Sequence, residues 1–197
     1  MIYFGEIGVT VVDNFIAEPE VEEMLSYFDD MELSDVCTEE GGSALHDHRT
    51  GTRKWIDHDH TPMFKILCDR VSNFVGIDLV NAEKAQFLEY GPGEKYDPHF
   101  DAFDAESEQW QHYCKSGQRL VSVMGYLNDL DTGGGTAFPK LGLDIKPRAG
   151  RLLVWNNVGE DLGKPHPDSL HGGMPVEEGI KKCFTIWFRE KPFNEQT

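Results

Sequence analysis

Basic residues are scarce in this 197-residue chain: 18 Lys and Arg stand against 35 Asp and Glu, a formal charge of −17. A field of that sign repels a phosphate backbone, which proteins grip with clustered Lys and Arg. Nucleic acid is therefore not an expected partner. The same field favours neutral or basic partners and a bound cation. Cysteine is sparse and scattered, at Cys37, Cys68, Cys114 and Cys183, with no CxxC or CxxxC pair. A cysteine-based zinc site is not expected, and nothing requires a disulfide. Long hydrophobic runs are missing too. No stretch of about 18 apolar residues exists, so no membrane partner or span is expected. The opening segment, MIYFGEIGVTVVDNF, has a Glu among its apolar positions and no basic leader. It reads as a strand rather than a signal peptide, which sets a cytoplasmic, reducing location as the expectation.

What remains is ordinary globular material, 39% apolar and long enough for one domain with its own core. Gly8–Phe15 is short and β-branched, a strand. Glu18–Met31 switches to helical spacing, with Val21, Met24, Leu25 and Phe28 on one side and Pro19 in the first turn. From Leu33 to His60 the chain is polar and Gly-rich. A loop of that length in a compact domain is a lid, a binding loop or a locally disordered segment. Thr61–Gly76 reads as a second helix. After it, short apolar runs alternate with Gly, Pro, Asn and Asp to the end, the texture of a sandwich or barrel. Residues 105–117 interrupt that rhythm and read as a surface excursion.

The predicted fold is α+β: a double-stranded β-helix, or jelly roll, with N-terminal helices packed on its outer face. Residues 1–84 supply the strand, helices and lid loop, and 85–191 the jelly-roll core, within a single domain spanning 1–197. In the last strand Lys181, Cys183, Thr185 and Trp187 alternate with Lys182, Phe184, Ile186 and Phe188. The second set suits packing under the helices and the first a polar interior.

One segment asks for a chemical explanation. YDPHFDAFD places His99 and Asp101 two residues apart, on one face if the segment is a strand. Such a pair suits a metal ion, and it serves equally as a hydrogen-bonded strand end. His171, in SLHGGMPVEEG, is a candidate third ligand. Two His and one carboxylate leave open positions on a metal, the pattern of non-haem Fe(II) oxygenases. Ten residues on, Lys181 lies on the inward face by the parity above, while Lys182 points outward. A cation inside a barrel needs an anionic partner, and the far carboxylate of a metal-bound dicarboxylate would be one.

Four ordered segments carry a resemblance: FLEYGPGEKYDPHFDAF, QRLVSVMGYLNDLDTGGGTAFP, AGRLLVWNN and SLHGGMPVEEGIKKCFTIW. Together they resemble the prolyl 4-hydroxylase family of Fe(II)- and 2-oxoglutarate-dependent dioxygenases, in its collagen-type and microbial branch, over residues 86–188. RTGTRKW (Arg49–Trp55) weakly resembles an upstream Arg-Thr/Ser segment of the same family. The resemblance implies His99, Asp101 and His171 as iron ligands and as the catalytic centre. It implies Lys181, with Tyr90 and Thr136, as partners of the 2-oxoglutarate carboxylate. It implies Tyr96, Arg119 and Trp187 at a peptidyl-proline site. Fe(II), with 2-oxoglutarate and O2 as cosubstrates and ascorbate as reductant, would follow. So would hydroxylation of proline at C4 in a peptide or protein, with release of succinate and CO2. The family's usual GGET is GGGT here, with Gly135 for the acid, and Lys182 replaces the aromatic that often follows the anchor lysine.

Other readings stay open at this point. Free proline or another small or protein substrate is one. A cupin-type metal hydrolase is a second, though it has no use for Lys181 or Thr136. A non-catalytic binding module is a third, and its mark would be a lost ligand. The histidines of His46–His48 and Asp57–His60 read as solvated loop residues with incidental metal affinity.

Overall fold

The protein is described here from a computed structural model, which covers residues 1–37 and 43–193. In chain order the strands are β1 (Ile2–Phe4), β2 (Val9–Val12), β3 (Glu32–Leu33), β4 (Val36–Cys37), β5 (Ser43–Ala44), β6 (Thr52–Ile56), β7 (Ala85–Tyr90), β8 (Tyr96–His99), β9 (Arg119–Tyr126), β10 (Thr136–Phe138), β11 (Leu143–Ile145), β12 (Leu152–Asn156), β13 (His171–Gly173) and β14 (Lys181–Arg189). The helices are α1 (Glu18–Leu25), α2 (Pro62–Val75) and α3 (Glu108–Tyr113). Eight strands form a major sheet, ordered β1-β2-β12-β9-β14-β7-β6-β3, and four form a minor sheet, ordered β11-β10-β13-β8. The jelly roll expected from the sequence is present.

Residue chemistry explains the helix limits. Thr61 caps α2 by accepting from the Phe64 backbone N–H at 3.1 Å, and Pro62 sits in the first turn. Gly76 ends it in the left-handed region at φ 76°, where glycine has no Cβ penalty. The first helix is shorter than its apolar spacing predicts, ending at Leu25 rather than Met31, and Leu25 is 37% exposed. The following Asp29-Asp30 pair favours a turn, and Asp30 takes φ 55°, which no helix continues.

Two cores result. Met24 of α1 and Phe64, Leu67 and Val71 of α2 pack on Phe87, Phe184, Ile186 and Phe188 of the major sheet. Between the sheets, Leu88, Tyr90, Tyr126, Phe138, Trp155 and Cys183 form the second. The final strand therefore alternates as predicted, Phe184, Ile186 and Phe188 under the helices and Lys181, Cys183, Thr185 and Trp187 inward. Gly125 on the neighbouring β9 is required by this packing. A Cβ there would meet the Phe184 ring at 2.3 Å.

The long loop expected over Leu33–His60 is partly ordered into β3, β4, β5 and β6. Its residues 38–42 lie outside the described ones. The strand β6 extends the major sheet beside β7, with Arg53 opposite Leu88 and Lys54 opposite Phe87. Polar side chains hid it. A strand at the rim of a sheet with one wet face needs few apolar residues.

Candidate active site

The pairing of β8 with β13 builds the site. It sets His171 directly opposite His99, so two residues far apart in sequence become neighbours. His171 thus opens β13. Asp101 falls two residues past the end of β8. Its Oδ1 is 3.6 Å from His99 Nε2, and its Oδ2 is 3.5 Å from His171 Nε2. One ligand atom from each of the three residues lies within 4.8 Å of the others, and no further cluster of this kind occurs among the described residues.

Backbone carbonyls orient both rings. His99 Nδ1 lies 2.9 Å from Asp97 O, and His171 Nδ1 lies 2.9 Å from Ser169 O. With Nδ1–H donating to each carbonyl, the Nε2 lone pairs are left facing Asp101. Ser122 Oγ donates to Asp101 Oδ2 at 2.5 Å, and Asn157 Nδ2 donates to Ser122 Oγ at 2.8 Å. Burial pushes the His171 imidazole down to about 4, against the pull of the Asp101 charge. Burial works to raise the Asp101 carboxyl, but His171 and His99 outweigh it and hold the group well below the carboxylate range. Two imidazoles and one carboxylate, aimed at one point, fit a divalent first-row metal.

An inner cavity leads away from these ligands and is lined by Tyr90, Met124, Thr136, Trp155 and Lys181. The β7–β14 register places Lys181 directly opposite Tyr90. Lys181 is 2% exposed, with Nζ 5.8 Å from the Tyr90 ring centre and 5.5 Å from that of Tyr126. No carboxylate forms an ion pair with it among the described residues, and burial pulls its pKa down. Thr136 Oγ1 accepts from the Tyr126 hydroxyl at 2.6 Å. Lys182 points to the other face and pairs with Glu89 at 3.2 Å. The missing acid at Gly135 has a spatial explanation. A Cβ there would fall 1.9 Å from Asp144 Oδ1, so the Asp144 carboxylate of β11 fills that space.

An outer cleft of ≈ 550 Å³ opens on the other side of His99 and Asp101. Tyr96, Arg119 and Trp187 all line it. Tyr96 stacks on His99 with ring centres 3.6 Å apart, and Arg119 lies 4.0 Å over the Trp187 ring. Arg119 is also forked onto Glu83, at 2.6 and 2.8 Å. Sequence reading missed four of these neighbours. Arg49 is 8% exposed, bonds Gln86 Oε1 at 2.7 Å and Asp35 O at 3.0 Å, and lines both cavities. The weak RTGTRKW likeness was its only signal. Ser122, a lone hydroxyl inside the apolar run of β9, was findable by its inward parity. Gln86 and Glu83 carried no signal.

Among the described residues the other histidines assemble no second cluster. His46 and His48 stack at 4.2 Å, and His48 Nδ1 meets exposed Asp97 at 2.8 Å. His58 is not simply solvated. Its Nε2 contacts Glu83 O at 2.9 Å, and burial lowers its pKa.

An antiparallel jelly roll with a two-histidine, one-carboxylate site at its mouth defines the non-haem iron oxygenase class. A profile of the 2OG-Fe(II) oxygenase superfamily matches residues 85–189, and the chain belongs to that family. Members use Fe(II), 2-oxoglutarate and O2. Prolyl 4-hydroxylase 5 of Arabidopsis thaliana is 31% identical over 209 residues, 95% of this chain and 70% of that protein. A protein of Acanthamoeba polyphaga mimivirus that bears the prolyl 4-hydroxylase name is 35% identical over 147 residues, 74% of this chain. The chain spans 60% of the viral protein's length. A viral collagen prolyl hydroxylase from Paramecium bursaria Chlorella virus-1, solved with 2-oxoglutarate, superposes with a TM-score of 0.71 at 22% identity, covering 93% of this chain and 96% of that one. A Pseudomonas putida prolyl-4-hydroxylase gives 0.62 at 20% identity, covering 94% of each. These structural likenesses speak to the fold.

Proposed function

We propose that the protein hydroxylates C4 of proline within a polypeptide, with 2-oxoglutarate converted to succinate and CO2 and ascorbate as reductant. The observation that carries the reading is the pair of cavities meeting at one ligand set. One is small, mostly apolar and lined by the buried Lys181, which has no ion-pair partner among the described residues; the other is larger and rich in aromatic side chains. Iron with 2-oxoglutarate, when bound, supplies the oxidising power to place one atom of O2 into an unactivated C–H bond.

The chain's own residues do the rest. His99 Nε2, Asp101 and His171 Nε2 hold the metal, with their orientation fixed by Asp97 O, Ser169 O and Ser122. Lys181 Nζ takes the far carboxylate of 2-oxoglutarate, with the Tyr90 phenol and Thr136 hydroxyl beside it. Burial raises the Tyr90 pKa, so its phenol stays protonated and can donate. Tyr96, Arg119 and Trp187 present ring faces and a guanidinium to the substrate. Flat aromatic faces suit a pyrrolidine ring, and Pro-rich chains arrive preformed in an extended helix. A metal hydrolase would leave Lys181 buried without a counter-ion, which disfavours that reading.

The test is incubation of the iron-loaded protein with Pro-rich peptides, read by mass spectrometry. A gain of one oxygen on proline is expected. Succinate formed while only free proline or a small acid is oxidised would overturn the peptidyl assignment.

A further inference from the structure

Residues 105–117 lie at the surface, as their sequence suggests, and are tied to the barrel by buried hydrogen bonds. The fully buried Gln118 clasps the base of the insert. Its Oε1 accepts from Phe103 N at 2.9 Å, and its Nε2 donates to Phe103 O at 2.7 Å and Leu162 O at 3.1 Å. Arg189, at the end of β14, takes the far side. Its Nη1 donates to Tyr113 O and Gly117 O, both at 2.9 Å, and its Nε donates to Glu83 at 2.7 Å. The Tyr113 ring lies flat against Phe103, 5.4 Å between centres and 13° between planes. Glu83 is the same carboxylate that forks Arg119 beneath Trp187. One buried acid therefore ties the insert to two residues of the outer cleft.

The insert also faces that cleft. Gln109 and Tyr113 of α3 line it together with Trp187. Gln109 Nε2 reaches across the mouth to Cys37 O at 3.5 Å, the outer limit of a hydrogen bond. A primary amide both donates and accepts, which matches a peptide group. The carbonyl of a bound chain can take over so stretched a bond. The stacked Tyr113–Phe103 pair offers an apolar face beside it.

We propose that the 105–117 insert is the selective wall of the cleft: Gln109 and Tyr113 face the bound chain, and Arg189 is the positioning residue that holds them in register with Trp187. The inference rests on the peptidyl-proline reading. Arg189→Lys keeps a charge for Glu83 but loses the fork that reaches two carbonyls.

The experiment uses the holoenzyme under nitrogen, loaded with Fe(II) and 2-oxoglutarate, so that binding is read without turnover. Labelled Pro-rich peptides differing in the residue beside the proline are titrated by fluorescence anisotropy. Amide hydrogen exchange is followed over 105–117. Gln109→Ala is expected to weaken peptide affinity roughly three- to tenfold. Gln109→Trp and Arg189→Lys are expected to reorder the peptide panel, and Arg189→Lys to speed exchange in the insert about tenfold or more. Affinity for 2-oxoglutarate stays the same in each. Gln109 is half-exposed on a short helix, so its variants keep the test alive if Arg189→Lys does not fold. Wild-type protein that binds peptide, with both Gln109 variants matching it in affinity and ranking, overturns this inference alone. Wild-type protein that binds no Pro-rich peptide overturns it together with the peptidyl-proline reading.

Discussion

Asp101 and Lys181 are two of the charges buried in this interior. Each is deeply buried, and each has a different means of support. Asp101 is held by two imidazoles and the Ser122 hydroxyl. Alanine at His99, Asp101 or His171 removes one of three ligands. Each variant is expected to lose 2-oxoglutarate turnover while keeping a near-native circular dichroism spectrum. Most of the turnover surviving in any one would show that residue not to be a ligand. Among the described residues Lys181 lies near the Tyr90 and Tyr126 rings and forms no ion pair, and in the proposed function its counter-ion arrives with the cosubstrate. Lys181→Ala is expected to raise the apparent KM for 2-oxoglutarate by roughly 10–150-fold, the equivalent of about 1.5–3 kcal/mol for a buried charge-assisted pair. Lys182→Ala serves as the control, since that side chain is spent on Glu89 at the other face. Similar KM values in the two variants would mean that Lys181 does not meet the cosubstrate.

Among the elements, β14 joins every part of the site. Its inward positions supply Lys181 to the inner cavity and Trp187 to the outer cleft, while Phe184, Ile186 and Phe188 anchor it under the helices. Its end, Arg189, shares Glu83 with Arg119 of β9. Burial works against the Glu83 charge, but the two guanidiniums hold its carboxyl below the ordinary value of 4.5. A carboxyl depressed on folding contributes stability above its unfolded pKa, and that stability is lost as pH falls through the lower folded value. Glu83→Gln leaves two buried cations without their anion, which is expected to cost about 3–5 kcal/mol at neutral pH. The variant should also show less loss of stability than wild type on acidification below pH ~4.5. Urea unfolding at several pH values measures both. A neutral-pH loss within the scatter of surface substitutions would mean that the arginines find other partners.

At the scale of the whole molecule, the charge of −17 sets the long-range field. Arginines do line the cleft: Arg53 pairs with Asp35 at 2.7 Å, Arg119 shares Glu83 with Arg189, and Arg49 bonds a backbone carbonyl and the Gln86 amide. With 35 acidic against 18 basic residues, the net field at a distance stays acidic. Peptides with Lys or Arg flanking the target proline are expected to show lower KM than acidic ones. That preference should fade with added salt, since the Debye length is only about 8 Å at 0.15 M. Initial rates across a salt series test it, and a preference independent of ionic strength would place its origin in short-range contacts. Among the described residues no helix is long and apolar enough to cross a membrane.

The sequence alone determined whatever repeats locally. The period-2 alternation of the last strand put Lys181 inward and Lys182 outward, and the Thr61-Pro62 start and Gly76 stop framed α2 within a residue. Ordered motifs carried the family, the jelly roll and the three candidate ligands, because an HxD pair and a distant His keep their order along the chain. The strands in Leu33–His60 were not legible, since polar rim strands lack the apolar alternation that marks buried ones. Gln86 and Glu83 were silent, and Arg49 nearly so, for a related reason: a single polar residue says nothing of what it will meet. Only the tertiary structure decided that Glu83 binds two arginines across 36 and 106 positions of chain. It alone placed Gln109 and Tyr113 of the insert at the outer cleft and let Asp144 stand where Gly135 carries no side chain. Those pairings depend on strand register and sheet closure, which bring distant residues within bonding distance and leave no mark in the local pattern.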